Sequence, residues 1–468
     1  MAETPQRNEF DCYTTWGFRE NPFQPSPLHA DSRGERLLVG RDVELGNVKT
    51  RLHRHGKVTC IEGEVGVGKT SLVNIAAFQC LNGFTQGKAN QLLIPCRTPF
   101  QLQPKEKVDE FCTRVFVEVA QTLLDQAKRV RGLSLDMSNK EALDAWLNSP
   151  RISNIEVGLH AYVEVTRKAE LNEGEGFNAH GFQELVQRWL KEIFPAHGSG
   201  GVVCVIDNLE LLETGYKARK VLERLRDRLF NVEGIRWVFC GANGIVSSVI
   251  ASPRLSGYLI RPILDVNSLN GDQVPEILRR RAVEFAIESG KEYLPITEDD
   301  LQRLYLIINF NLRDLLAHAD DYCMYIWDHR LFPKTDEDKR KRFEVWLTKQ
   351  TKEQYYDLRK RIAADAWEML DTAMCEKLKG RFGPGDFNYF KSNSYVGIEY
   401  KTFMRHMRKF EELGLISRSI EGGDEDEVKR TVFTVSSKGA MVQYARFMAN
   451  ETKTMASPWL RRVATRAG

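Results

Sequence analysis

Apolar residues recur along this chain in two periods, and each change of period marks a change of predicted element. Val58-Thr-Cys-Ile is a short β-branched run, Val202 to Ile206 is five apolar residues closing on Asp207, and Ile235-Arg-Trp-Val-Phe-Cys is a third run followed by one polar residue, Asn243. Such runs, bounded by turn residues, predict strands buried on both faces, as in a parallel sheet. After the first run, Leu72, Val73, Ile75, Ala76 and Ala77 predict an apolar helix. Ile155, Val157, Leu159, Ala161, Val163 and Val165 instead alternate with mostly polar neighbours, predicting an inserted β ribbon near 153–175. It either engages DNA or a partner, or simply widens the sheet.

In the last third of the chain the pattern turns helical. Ile362 to Leu378 predicts an amphipathic helix. Further on, Phe403, Met407, Phe410 and Leu413 share one helical face while Lys401, Arg405, Arg408 and Lys409 gather elsewhere on it. Gly414 is a natural stop. Two strand-like pieces, Leu415 to Ile420 and Val428 to Val435, then flank Glu421-Gly-Gly-Asp-Glu-Asp-Glu. This order is a winged-helix signature, in which the second helix of a helix-turn-helix enters the DNA major groove and the hairpin lies along the backbone. The basic stripe suits that role. Asp424, Glu425, Asp426 and Glu427 at the hairpin tip do not, since they repel phosphates within a Debye length of about 8 Å. Protein docking is therefore the alternative use of the same module.

Composition narrows the setting. The chain has 468 residues, 42% of them apolar, which is ample for two to four domains with real cores. Its start carries no charged-then-apolar signal, and no apolar run approaches the roughly 20 residues that span a bilayer, so a cytoplasmic protein is expected. Nine cysteines without a CxxC pair fit reduced, buried thiols rather than disulfides or a zinc site. The net charge of +3 is uneven: from Lys334 onward 27 Lys+Arg face 20 Asp+Glu, a net of +7, leaving −4 for the rest. The basic part is the carboxyl-terminal third, with a basic tail at 451–468.

The chemistry concentrates after the first strand. Gly63-Glu-Val-Gly-Val-Gly-Lys-Thr fits G-x-x-x-x-G-K-[ST], the phosphate-binding loop. Gly63, Gly66 and Gly68 let the backbone curl, so that amides from Glu64, Val65 and Val67 to Ser71 point at phosphate oxygens, and the following helix turns its positive end to the same charge. Lys69 neutralises phosphate. Thr70 offers a hydroxyl to Mg²⁺. A buried strand delivering Asp207 at its carboxyl end would hold the Mg²⁺ shell opposite Thr70. Asn208 stands where hydrolysing P-loop enzymes carry a water-polarising glutamate, with Glu210 a candidate substitute. Asn243 is placed to touch the γ-phosphate and the lytic water, and Arg254, in Ala-Ser-Pro-Arg-Leu-Ser, to act as an arginine finger toward a neighbouring subunit.

Taken in this order, the motifs resemble an AAA+ ATPase, close to the branch of archaeal and eukaryotic origin-recognition initiators and the related STAND-type signalling ATPases. The resemblance implies that Val39, Gly40 and Arg41 in Leu38-Val-Gly-Arg-Asp, together with Asn21-Pro-Phe-Gln-Pro, pack against adenine. It also implies that Arg313 in Asn311-Leu-Arg-Asp-Leu-Leu is a phosphate-sensing arginine on a helical lid. The implied α/β architecture is an N-terminal segment at 1–35, a P-loop AAA+ core with a parallel sheet at 36–265, a helical lid at 266–333, a linker or helix at 334–360, and a winged helix at 361–450. ATP and Mg²⁺ are the implied ligands, and double-stranded DNA, a homo-oligomer or AAA+ partner and further proteins the implied partners. The function expected is an ATP switch that assembles proteins on DNA. The alternative is a STAND-like signalling or defence ATPase in which nucleotide controls oligomerisation and the winged helix is regulatory. Asn208 in the glutamate position leaves slow hydrolysis or pure switching open. A second departure is the spacing of 138 positions between Lys69 and Asp207, longer than a minimal core needs, which leaves room for the ribbon near 153–175.

Overall fold

The computed structural model describes residues 11–103, 106–127, 179–196, 198–212, 215–246, 252–393, 398–421 and 430–449. The expected ribbon near 153–175, the acidic hairpin tip and the basic tail lie outside the described residues. The first three apolar runs form strands as the pattern demands. In chain order, the strands of the first sheet are β1 (Thr59–Glu62), β2 (Leu92–Pro95), β3 (Phe100–Gln101), β4 (Gly200–Asp207), β5 (Ile235–Gly241) and β6 (Leu264–Asp265). All described pairings among them are parallel, in the order β2-β4-β5-β1-β6, with β3 continuing beside the end of β4.

Alternation divides each strand between two cores. Val202, Cys204 and Ile206 of β4 and Trp237 and Phe239 of β5 face the helices Val108–Ala127 and Ala179–Ile193. Val203, Val205, Val238 and Cys240 face the other way, onto the helices Asp42–Leu52 and Lys69–Thr85. Covered on both sides, β4 is buried along its whole length. That explains why its sequence reads as an unbroken apolar run. The nine cysteines are free thiols, eight of them buried. No helix among the described residues is long and apolar enough to cross a membrane.

A third core brings together parts of the chain that the sequence reading kept apart. Tyr13, Trp16, Phe18 and Phe23 of the N-terminal segment pack into the lid helices Val274–Phe285, Glu298–Ile307 and Leu312–Asp328. Tyr13 stacks edge-on against Trp16, and its hydroxyl donates to Asp320 at 2.5 Å. The segment is thus part of the lid. Nor is 334–360 a plain linker: Asp336–Arg359 is one helix, capped by Thr335, whose Phe343, Trp346 and Leu347 belong to the lid core and whose Tyr355 and Leu358 belong to the next one. A single rigid element joins the two.

The last core holds the carboxyl-terminal module. Its strands are β7 (Arg381–Phe382), β8 (Ile416–Glu421) and β9 (Arg430–Val435), antiparallel in the order β7-β9-β8. Against them pack the helices Ala364–Ala373, Phe387–Asn393 and Tyr400–Glu412. The first is shorter than the Ile362–Leu378 pattern predicted: it ends at Ala373, and Lys379 and Gly380, with φ of 49° and 79°, lead into β7. Ile362 and Leu378 are still buried, as caps on this core. The final helix, Ser437–Met448, returns to the lid. Arg303 donates to the Tyr444 hydroxyl at 2.6 Å, Asn309 to the Val435 carbonyl at 3.2 Å, and Ser437 to the Asp314 carboxylate.

Candidate functional site

Because β5 lies between β1 and β4, the P-loop and Asp207 leave the sheet two strands apart, and a cleft opens at the carboxyl edge between them. Ligands of open parallel sheets sit at such edges. The loop is shaped by its glycines: Gly66 and Gly68 adopt φ of +86° and +95°, a region that favours residues without a Cβ. A Cβ on Gly66 would lie 2.4 Å from Asn311 Oδ1, and one on Gly63 2.3 Å from the Val266 carbonyl. Close approach of the β6 segment thus fixes the first glycine, and that of the lid the second.

Lys69 is buried, and its Nζ donates to the carbonyls of Gly63 and Glu64 at 2.9 and 3.0 Å. Among the described residues it has no carboxylate partner, so its charge is held ready in the loop. Thr70 Oγ1 donates to Asp207 Oδ2 at 2.5 Å, and Asp207 Oδ1 accepts from the Asn208 N–H at 2.9 Å. A hydroxyl and a carboxylate side by side are hard oxygen donors of the kind Mg²⁺ takes. Opposite them stands Arg313, in the first turn of Leu312–Asp328. It lines the cleft and has no hydrogen-bond or ion-pair partner among the described residues. Asn311 caps that helix on Asp314 N–H.

The rest of the cleft is an apolar slot walled by Pro25, Pro27, Leu37, Val39, Leu269 and Ile277. With its solvent mouth included, the space of the cleft is about 880 Å³. Arg41 is buried beside it. Its guanidinium donates to the Val67 carbonyl at 3.0 Å and to Glu44 at 2.9 Å, clamping the upstream segment to the P-loop. Gly40 turns with φ of +66° under Gln273. Ser71 serves the upstream segment too, accepting from the Leu28 N–H at 3.0 Å.

Several expected residues lie outside this cleft. Glu210 is drawn aside in the turn Leu209–Leu212, where its Oε2 accepts from the Ala242 N–H at 3.0 Å. Asn243 follows β5 at the same edge of the sheet without lining the cleft. Arg254 is at the opposite edge. Its short helix Pro253–Ser256 leads to Gly257, whose carbonyl accepts from Lys57, and to Leu259, which bridges Val58 just before β1. Arg254 therefore cannot reach its own P-loop. It is exposed, with one loose ion pair to Asp227 at 3.5 Å. Sequence reasoning missed Arg280 and Arg281, which hold the slot from the lid. A run of arginines on an amphipathic helix gives no local signal of which of them turns inward.

Scans against protein-family models and curated proteins give no match. Among solved structures, the chain is similar to the Aeropyrum pernix ORC1 protein in complex with DNA, at 13% identity and a TM-score of 0.42 over 93% of this chain and 98% of that one. It is also similar to Cdc6p from Pyrobaculum aerophilum, at 14% identity and a TM-score of 0.37 over 96% and 99%. A third is a Walker-type ATPase of Pyrococcus abyssi, at 13% identity and a TM-score of 0.41 over 90% and 99%.

Proposed function

We propose that this protein is an ATP-binding molecular switch that binds double-stranded DNA through its carboxyl-terminal module, read as a winged helix, and assembles partner proteins in an ATP-dependent way. The observation that carries the reading is the convergence of Lys69, the Thr70–Asp207 pair and Arg313, unpartnered among the described residues, on one cleft, with the carboxyl-terminal module bonded to the first turn of the Arg313 helix through Ser437 and Asp314. In this reading Thr70 and Asp207 hold Mg²⁺, which shields the phosphate charge. Lys69 and the P-loop amides bind the β- and γ-phosphates, and Arg313 senses the γ-phosphate from the lid. The bond from Asp314 to Ser437 also favours a second reading, a STAND-like switch in which the docked module restrains the lid. Duplex binding by the purified protein distinguishes the two.

Hydrolysis depends on what stands beside Asp207. Asn208 lines the cleft with φ of +54°, a left-handed conformation that asparagine tolerates and glutamate adopts at a cost of about 1 kcal/mol. Asn208→Glu is expected to lower stability by that amount and to raise the rate of phosphate release. Glu210→Gln is expected to leave the rate unchanged, since Glu210 is tied to Ala242. A rate that falls in Glu210→Gln would instead assign the water-polarising role to Glu210.

Arg254 acts between subunits in this account. Its place at the far edge of the sheet suits a head-to-tail contact of the kind that closes rings or extends filaments. Arg254→Ala is expected to weaken ATP-dependent assembly, read by light scattering, while calorimetry shows ATP affinity unchanged. Assembly and hydrolysis equal to the parent protein would make Arg254 an ordinary surface residue.

A further inference from the structure

Two adjacent arginines of the lid helix Val274–Phe285 carry the backbone that walls the apolar slot. Arg280 Nη1 donates to the carbonyls of Arg36 and Leu38 at 3.0 and 2.9 Å. Arg281 Nη1 donates to those of Pro22 and Gln24 at 2.6 and 3.3 Å. The strap that leads from Pro22 to Leu28 is fixed at its other end by the P-loop helix, where Ser71 accepts from the Leu28 N–H and Asn74 donates to its carbonyl at 2.8 Å. The two arginines differ in exposure. Arg280 is half-exposed and paired with Glu276, whereas Arg281 is 6% exposed and has no carboxylate partner among the described residues.

Burying an unpaired guanidinium is costly, and a hydrophobic residue of similar volume would pack the same space without that penalty. The cost is uncompensated in one further respect, for Arg281 Nε is buried without a hydrogen-bond partner. Yet Arg281 lines the cleft alongside Ile277, one helical turn before it. A cation kept in such a place, with Nη1 on two strap carbonyls and Nε left without a partner, is built for the slot rather than for the lid core.

We propose that Arg281 is the positioning residue that sets base selectivity in the slot. It holds the Pro22–Leu28 strap at the distance that admits a flat purine, while phosphate affinity belongs to the P-loop. This rests on the nucleotide reading above. Its test is calorimetric titration of the full chain, in the presence of Mg²⁺, with ATP, CTP and inorganic tripolyphosphate, for the parent protein, Arg281→Leu and Arg281→Lys.

Arg281→Leu is expected to bind ATP about tenfold more weakly, to bring the ATP-to-CTP affinity ratio close to one, and to leave tripolyphosphate affinity unchanged. Arg281→Lys keeps the charge but not the longer reach of Nη1 to the two strap carbonyls, so it is expected to narrow the ratio part of the way. An undiminished ratio in both variants, or equal losses for ATP and tripolyphosphate, would overturn the proposal while leaving the nucleotide reading in place. Should Arg281→Leu fail to fold, the ratio in Arg281→Lys decides alone. A parent protein that binds none of the three ligands would overturn both.

Discussion

Replacing Lys69 with alanine is expected to weaken ATP binding by close to three orders of magnitude. The ammonium group is buried in the loop, and its bonds go to the Gly63 and Glu64 carbonyls rather than to a carboxylate. Among the described residues no carboxylate is bonded to it before the ligand arrives. At about 4 Å and an effective dielectric of about 20, one unit charge facing one phosphate charge is worth about 4 kcal/mol, close to three decades in affinity. Calorimetry with ATP checks the figure, and a melting curve without nucleotide separates lost binding from lost folding. Affinity unchanged in a folded Lys69→Ala protein would contradict the site assignment.

The second large effect is expected at the carboxyl-terminal module. In the helix Tyr400–Glu412, Phe403, Met407 and Phe410 are buried, while Lys401, Arg405 and Arg408 are exposed along one stripe. Lys409 stands apart, drawn to Glu412 at 3.0 Å. If the stripe lies in a major groove, its cations replace counterions condensed on the duplex, and affinity falls steeply as salt rises. Arg405→Ala with Arg408→Ala is expected to flatten the slope of log affinity against log salt by about two units if both contact phosphates. If both read base edges, the cost is about 2 to 6 kcal/mol. ATP affinity should survive, because the stripe and the cleft are built from different parts of the chain. Fluorescence anisotropy decides. No duplex binding at low salt, or binding indifferent to the double change, would remove the main support for DNA recognition and favour the signalling switch.

What the sequence made legible follows from how local each requirement is. The P-loop could be read because its curl needs glycine at particular positions and its charge needs Lys69, all within a few residues. The strands ending at Asp207 and before Asn243 could be read because burial on both faces leaves no polar positions. The stripe of Lys401, Arg405 and Arg408 was visible in the helical period. Long-range relations left no such trace. That Arg281 holds Pro22 and Gln24 depends on a contact between distant segments, and the docking of Trp16 and Phe18 into the lid depends on a core assembled from separated helices. Glu210 is close in sequence to Asp207, but only the turn Leu209–Leu212 decides that it points to Ala242. The helix Asp336–Arg359 was open between a linker and an exposed helix because its few buried residues are divided between two cores.

The central claim is that ATP and duplex DNA act together on assembly. Size-exclusion chromatography with light scattering on the full chain tests it most directly, run with ATP and with ADP, each with and without a DNA duplex. The account predicts a larger species that carries DNA when ATP is present and a smaller one with ADP. The same mass under all four conditions, with no DNA in the protein peak, would contradict it.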